Sequence, residues 1–166
     1  MTQKTYLIGL ALLGSLVTLA MQPVHGVSAN PSPQILAQSQ NSGTCTDLLE
    51  VTTGQTQIRK QIRFSLLGPG NIHVDFAVPP TGRIDYYEVQ FIPENDAVYQ
   101  VDINFRYPDG SQANVFSARG EAVRNQTYSR QFVSPTGERP FLINSSIGGD
   151  NNTAYTVGVR GCRNQP

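Results

Sequence analysis

From Tyr99 to Tyr107 the apolar side chains fall on every second position: Tyr99, Val101, Ile103, Phe105 and Tyr107, with Gln100, Asp102, Asn104 and Arg106 between them. A period of two fits a half-buried strand, because a helix needs its apolar residues three and four apart. The pattern recurs. Ile58, Ile62, Phe64 and Leu66 alternate with Arg59, Gln61, Arg63 and Ser65, and Ile72, Val74, Phe76 and Val78 with His73, Asp75 and Ala77. Tyr87, Val89 and Phe91 alternate with Tyr86, Glu88 and Gln90, and Tyr155, Val157 and Val159 with Thr156, Gly158 and Arg160. Val and Ile outnumber Leu in these runs and Tyr and Phe sit among them, which suits a pleated surface with one buried face. Helices are not expected.

The runs are punctuated by turn chemistry. Tyr107-Pro108-Asp109-Gly110-Ser111 places Pro where φ is fixed and Gly where a positive φ is needed, so it predicts a hairpin. Gly68-Pro69-Gly70-Asn71, Pro79-Pro80-Thr81-Gly82, Pro93-Glu94-Asn95-Asp96, Ser134-Pro135-Thr136-Gly137 and Gly148 to Asn152 break the remaining runs at short intervals. About 7–9 short strands at such spacing predict an all-β antiparallel sandwich, immunoglobulin-like or jelly-roll-like. The stretch from Ala97 to Gly110 resembles the long inner strand and turn of immunoglobulin-like bacterial domains.

The amino-terminal segment reads as an address. One positive charge (Lys4) precedes an apolar run from Tyr6 to Met21, and Val27-Ser28-Ala29 offers small residues to a signal peptidase. Residues 1–29 are therefore expected to be a signal peptide that is removed, leaving no membrane span. Residues 30–43 are rich in Pro, Ser, Gln and Asn and too polar to fold alone, so they read as a flexible leader before one domain over residues 44–166. A Gln-rich leader of this kind resembles those of exported proteins of photosynthetic bacteria. That resemblance would place the protein in the periplasm, the medium or the thylakoid lumen.

Cys45 and Cys162 are the only cysteines and lie at opposite ends of the predicted domain. In an exported chain such a pair is expected to form a disulfide, which makes the first and last strands neighbours and removes both thiols as nucleophiles.

Composition excludes more than it assigns. The chain has 166 residues and no net charge, too short for a large multidomain enzyme and without the field that draws nucleic acid. After cleavage only His73 remains of the two histidines, and no Gly-x-Ser-x-Gly elbow is present. His73 and Asp75 stand two apart on one strand face, where they could share a proton or a metal. One imidazole and one carboxylate are too few for a closed zinc site. Carboxylates and amides at Glu94 to Asp96, Asp109 to Asn114 and Asp150 to Asn152 could pool oxygens for calcium but suit turns equally. No cofactor is implied. Tyr86 and Tyr128 are candidate exposed aromatics for sugar stacking, although the chain has no Trp. Asn125, Asn144 and Asn151 begin glycosylation sequons that matter only in a eukaryotic source. Arg59, Lys60 and Arg63 form the one dense basic run, with Lys60 on the apolar side and therefore expected near a sheet edge.

Two readings follow. One is a non-enzymatic exported module that binds a protein or glycan partner, with Arg59, Arg63, Tyr86 and Glu88 as its candidate surface. The other is a small metal-dependent or hydrolytic enzyme built on His73 and Asp75.

Overall fold

A computed structural model describes residues 43–65, 68–69 and 73–164. The expected signal peptide, the leader up to residue 42, and Leu66, Gly70, Asn71 and Ile72 of the strand and turn readings lie outside the described residues.

Among the described residues every element is a strand: β1 (Thr44–Asp47), β2 (Leu49–Glu50), β3 (Gln57–Gln61), β4 (Phe64–Ser65), β5 (Gly68–Pro69), β6 (His73–Ala77), β7 (Tyr86–Pro93), β8 (Ala97–Arg106), β9 (Gln112–Ala122), β10 (Tyr128–Phe132), β11 (Leu142–Gly149) and β12 (Ala154–Arg163). No helix of the described residues is long and apolar enough to cross a membrane. Ten strands form two antiparallel sheets, one more than the top of the expected range, and β4 with β5 makes a separate short ladder.

In the first sheet β12 pairs with β7 and β7 with β10, while β1 and β3 pair with successive halves of the other side of β12. The second sheet runs β2-β6-β11-β8-β9. Inward residues of both sheets form one core, and the alternation read from the sequence names its centre: Val89, Phe91, Tyr99, Val101, Ile103, Phe105, Tyr155 and Val157 are each fully buried. Aromatic edges lock the two sheets together. Phe91 meets Tyr99 at 5.1 Å between ring centroids, and Tyr87 meets Phe105 at 5.2 Å.

The hairpin after β8 follows the turn chemistry. The Tyr107 and Gly110 N–H groups donate to the Ser111 and Tyr107 carbonyls at 2.9 and 3.0 Å, Gly110 takes φ +86°, and Asp109 Oδ1 accepts from the Ser111 N–H at 2.8 Å.

Cys45 and Cys162 are bonded to each other and are direct cross-strand partners in the β1–β12 ladder. The first and last strands are neighbours, as the cysteine pair predicts.

Lys60 points inward from β3, which is an edge strand, and its Nζ donates to the His73 carbonyl of β6 at 2.6 Å. One long cation thus spans the seam between the two sheets. Burial holds its pKa below the usual lysine range.

Candidate functional site

The outward face of the second sheet carries rows of side chains whose members come from adjacent strands. One row is Asp75 (β6), Asn144 (β11), Asn104 (β8) and Asn114 (β9), and the next is His73, Ser146, Asp102 and Ser117. With strands about 4.8 Å apart and rows two residues apart along the strand, the four-strand row extends roughly 14 Å and lies about 7 Å from its neighbour.

The first row is a connected ladder. Asn114 Nδ2 donates to Asn104 Oδ1 at 3.0 Å, Asn104 Nδ2 to Asn144 Oδ1 at 3.4 Å, and Asn144 Nδ2 to Asp75 Oδ1 at 2.6 Å. Within the row each amide donates toward the carboxylate, the last bond is charge-assisted, and Asn114 Nδ2 is held further by the Phe116 carbonyl at 3.2 Å. Asn144 is 2% exposed, whereas Asp75, Asn104 and Asp102 are half-buried and Asn114 is exposed. Asn144 therefore orients its neighbours, and the flanking groups face solvent with spare lone pairs and N–H donors.

A bulge builds this row. The register of β8 against β9 shifts between Ile103, which faces Phe116, and Asn104, which faces Asn114, so Val115 is an extra residue. Counting back by twos from Arg119 and Ser117, strict alternation would turn Asn114 inward. The bulge returns it to the outer face, beside Asn104. In the adjoining rows Gln100 Nε2 reaches Asp102 Oδ1 and Ser117 Oγ, each at 3.3 Å. At the other end, Leu49, Ala77 and Leu142 form an apolar row next to the ladder.

His73 and Asp75 point outward from β6 opposite buried Val74 and Phe76. His73 faces Ser146, and Asp75 is held by Asn144. Among the described residues no group of three or more His, Cys, Asp or Glu side chains is placed to hold a metal. Both residues also border a recess of about 310 Å³ at the sheet seam, next to Lys60 and Glu50. Burial pushes the Glu50 carboxyl up, but the Thr53 N–H at 2.7 Å and Thr53 hydroxyl at 2.8 Å outweigh it and hold the group below the usual carboxylate range.

The four residues of the candidate surface, Arg59, Arg63, Tyr86 and Glu88, are each engaged within the fold. Arg59, Tyr86 and Glu88 do share the outward face of the first sheet, yet Tyr86 and Glu88 are only 6% and 4% exposed. Tyr86 sits opposite Cys162 with the Gly43 backbone against its ring, where a Cβ at Gly43 would lie 2.4 Å from the tyrosine oxygen. Glu88 is engaged by Arg160 and by Gln90 Nε2 at 3.2 Å. Burial raises its pKa, and the Arg160 guanidinium, together with Ser129 and Gln131, more than offsets this and holds it low. Arg59 is taken by Glu94 at 2.7 Å. Arg63 lies beyond the end of β3 and grips Gln61 Oε1 at 2.7 Å.

Tyr128 is likewise no stacking platform. It is half-buried against Phe91, and its hydroxyl accepts from the Val123 N–H at 2.8 Å. Asn144 is too buried to carry a glycan. The loop carboxylates and amides tie one loop to another: Asp96 accepts from the Arg124 N–H, Asn95 from the Ala154 N–H and Asp150 from the Val98 N–H.

No family model matches the chain, and no curated protein matches it. Similar solved structures include a point variant of a family 29 carbohydrate-binding module, at 8% identity and TM-score 0.43 over 80% of this chain and 83% of that one. A family 28 module specific for non-crystalline cellulose has 12% identity and TM-score 0.41 over 75% and 80%. The enzymatically active domain of tailspike protein 4 from bacteriophage CBA120 has 16% identity and TM-score 0.41, over 73% of this chain and 18% of that one. At these values the likeness assigns neither ligand nor activity to this chain.

Proposed function

We propose that the chain is an exported, non-enzymatic binding module whose ligand is a hydroxyl-rich glycan, received on the outward face of the β2-β6-β11-β8-β9 sheet. The observation that carries this is the ladder from Asn114 through Asn104 and Asn144 to Asp75, with Asp102 in the next row. A polar row on a strand face needs no internal order to be soluble. This one has a consistent donor direction along the row and a buried central amide, so its remaining lone pairs and N–H groups are held in place before a ligand arrives. That preorganisation lowers the cost of binding polyhydroxylated chains, whose hydroxyls both donate and accept. The neighbouring apolar row of Leu49, Ala77 and Leu142 suits the C–H faces of sugar rings.

Export is supported by the disulfide, which persists in oxidising compartments, and by the reading of residues 1–29 as a signal peptide and 30–43 as a leader before the module over residues 44–166. Secretion, the periplasm and the thylakoid lumen all satisfy it. The enzymatic alternative on His73 and Asp75 has less support, since the Asp75 carboxylate already accepts a charge-assisted bond from the buried Asn144 amide.

Affinity electrophoresis of the oxidised protein through gels containing soluble neutral polysaccharides tests the proposal. At least one polysaccharide of a β-glucan, mannan and xylan panel is expected to retard the protein, and Asn104→Ala and Asp102→Ala to restore its free mobility. Unaltered migration in every gel, or retardation that survives both substitutions, contradicts it.

A further inference from the structure

A second cleft lies away from this sheet face, at the end of the sandwich where β1 and β12 run past the core, and encloses about 460 Å³. Its floor is apolar, made by Leu48 and Ile84. Ile84 fits there because position 161 is glycine: a Cβ on Gly161 would lie 2.9 Å from Ile84 Cδ1. Thr44 and Thr46 bring hydroxyls from β1, and Arg83 and Arg163 bring two guanidinium groups.

The two arginines are not equivalent. Arg83 is paired with Asp85 at 2.7 Å, so its charge is largely met. Arg163 donates from Nε to the Arg83 carbonyl at 2.7 Å, a neutral partner; its charge is felt by Asp85 through space, but among the described residues no carboxylate contacts its guanidinium directly. That bond fixes the plane of the guanidinium, with its terminal nitrogens beside the cleft. The loop behind it is tied down as well, since Arg139 donates to the carbonyls of Pro79, at 3.0 Å, and Gly82.

We infer that this cleft is a binding site for a carboxylate-bearing sugar, a uronate residue, with Arg163 gripping the carboxylate, Thr44 and Thr46 meeting ring hydroxyls, and Leu48 and Ile84 supporting the ring. A planar guanidinium held by a third group matches a carboxylate fork-to-fork, and the volume is within the usual range for small-ligand sites. None of these residues belongs to the polar ladder, so the inference stands apart from the proposed function.

Chemical-shift titration of the oxidised protein with glucuronate, glucose and acetate is the test. Glucuronate is expected to move the amides of Thr44, Thr46 and the 82–84 loop and to weaken with added salt, while glucose leaves them in place and acetate binds more weakly. Arg163→Gln is expected to weaken glucuronate by about tenfold or more. Asn104→Ala, on the sheet face, should leave glucuronate binding unchanged. Glucose binding as well as glucuronate, acetate binding equally tightly, or an unchanged affinity in Arg163→Gln would each overturn the inference. Should Arg163→Gln not fold, Thr46→Val decides: a several-fold weaker glucuronate affinity supports the site and an unchanged one refutes it.

Discussion

Replacing both Cys45 and Cys162 by alanine is expected to remove about 5 kcal/mol of stability. The bond closes a loop with a sequence separation of 117. In the chain-entropy model the denatured ensemble of the bridged protein is restricted by about 16 cal/mol/K, or about 5 kcal/mol at 25 °C. Nearly the whole folded domain lies inside that loop, so almost every denatured conformation is affected. Domains of this size hold only about 5–15 kcal/mol in total, so the variant should be marginal. In equilibrium urea denaturation the midpoint should fall by roughly 2–3 M for a slope near 2 kcal/mol/M, and the melting temperature by roughly 20 °C. The reduced parent protein should behave like the double variant. A loss below about 1 kcal/mol in both would refute the reasoning, because it would mean that the two chain ends already meet in the denatured state.

Three further outcomes follow from buried polar groups. Ser145 is fully buried between Ile143 and Ile147 and its hydroxyl has no hydrogen-bond partner among the described residues, so Ser145→Ala should raise stability by about 1 kcal/mol, read from the urea midpoint. Asn144→Ala strands the Asp75 carboxylate and the Asn104 amide together and should cost about 2–4 kcal/mol in the same assay. Glu88 has a folded pKa below its unfolded value of about 4.3, so its contribution is present above that pH and drains as the pH falls through the lower folded value. Glu88→Gln should therefore cost about 1.5–3 kcal/mol at pH 7, and the gap to the parent should narrow steadily in denaturation series run down to pH 3.

Legibility in the sequence followed the chemistry of each strand. β8 and its hairpin were readable because alternation and turn residues agree over one uninterrupted stretch. β11 was not. It is a central strand, but Asn144, Ser145 and Ser146 interrupt its apolar pattern, and it earns its place through the ladder on one face and Ile143 and Ile147 on the other. β9 was hidden by its bulge, which changes the phase of alternation at Val115. The face of β7 carrying Tyr86 and Glu88 was correctly separated from Val89 and Phe91, yet its burial depends on Arg160, the disulfide and Gly43, all distant along the chain. The candidate site has the same character. Asp75, Asn104, Asn114 and Asn144 are spread over four strands, and only the strand order β6-β11-β8-β9 makes them a row. The sequence marks Asp75, Asn114 and Asn144 only for other roles, as an acid beside His73, a loop oxygen and a sequon.

The most direct test of the account is residue-level mapping of a bound neutral oligosaccharide by NMR, using the side-chain amide signals of Asn104, Asn114 and Asn144. The account predicts that these signals and the backbone amides of β8 and β11 move together and saturate at one ligand concentration, with Glu88 and Gln90 of the other sheet unmoved. Saturable shifts centred on β7 and β12, with the three asparagine amides stationary, would contradict it.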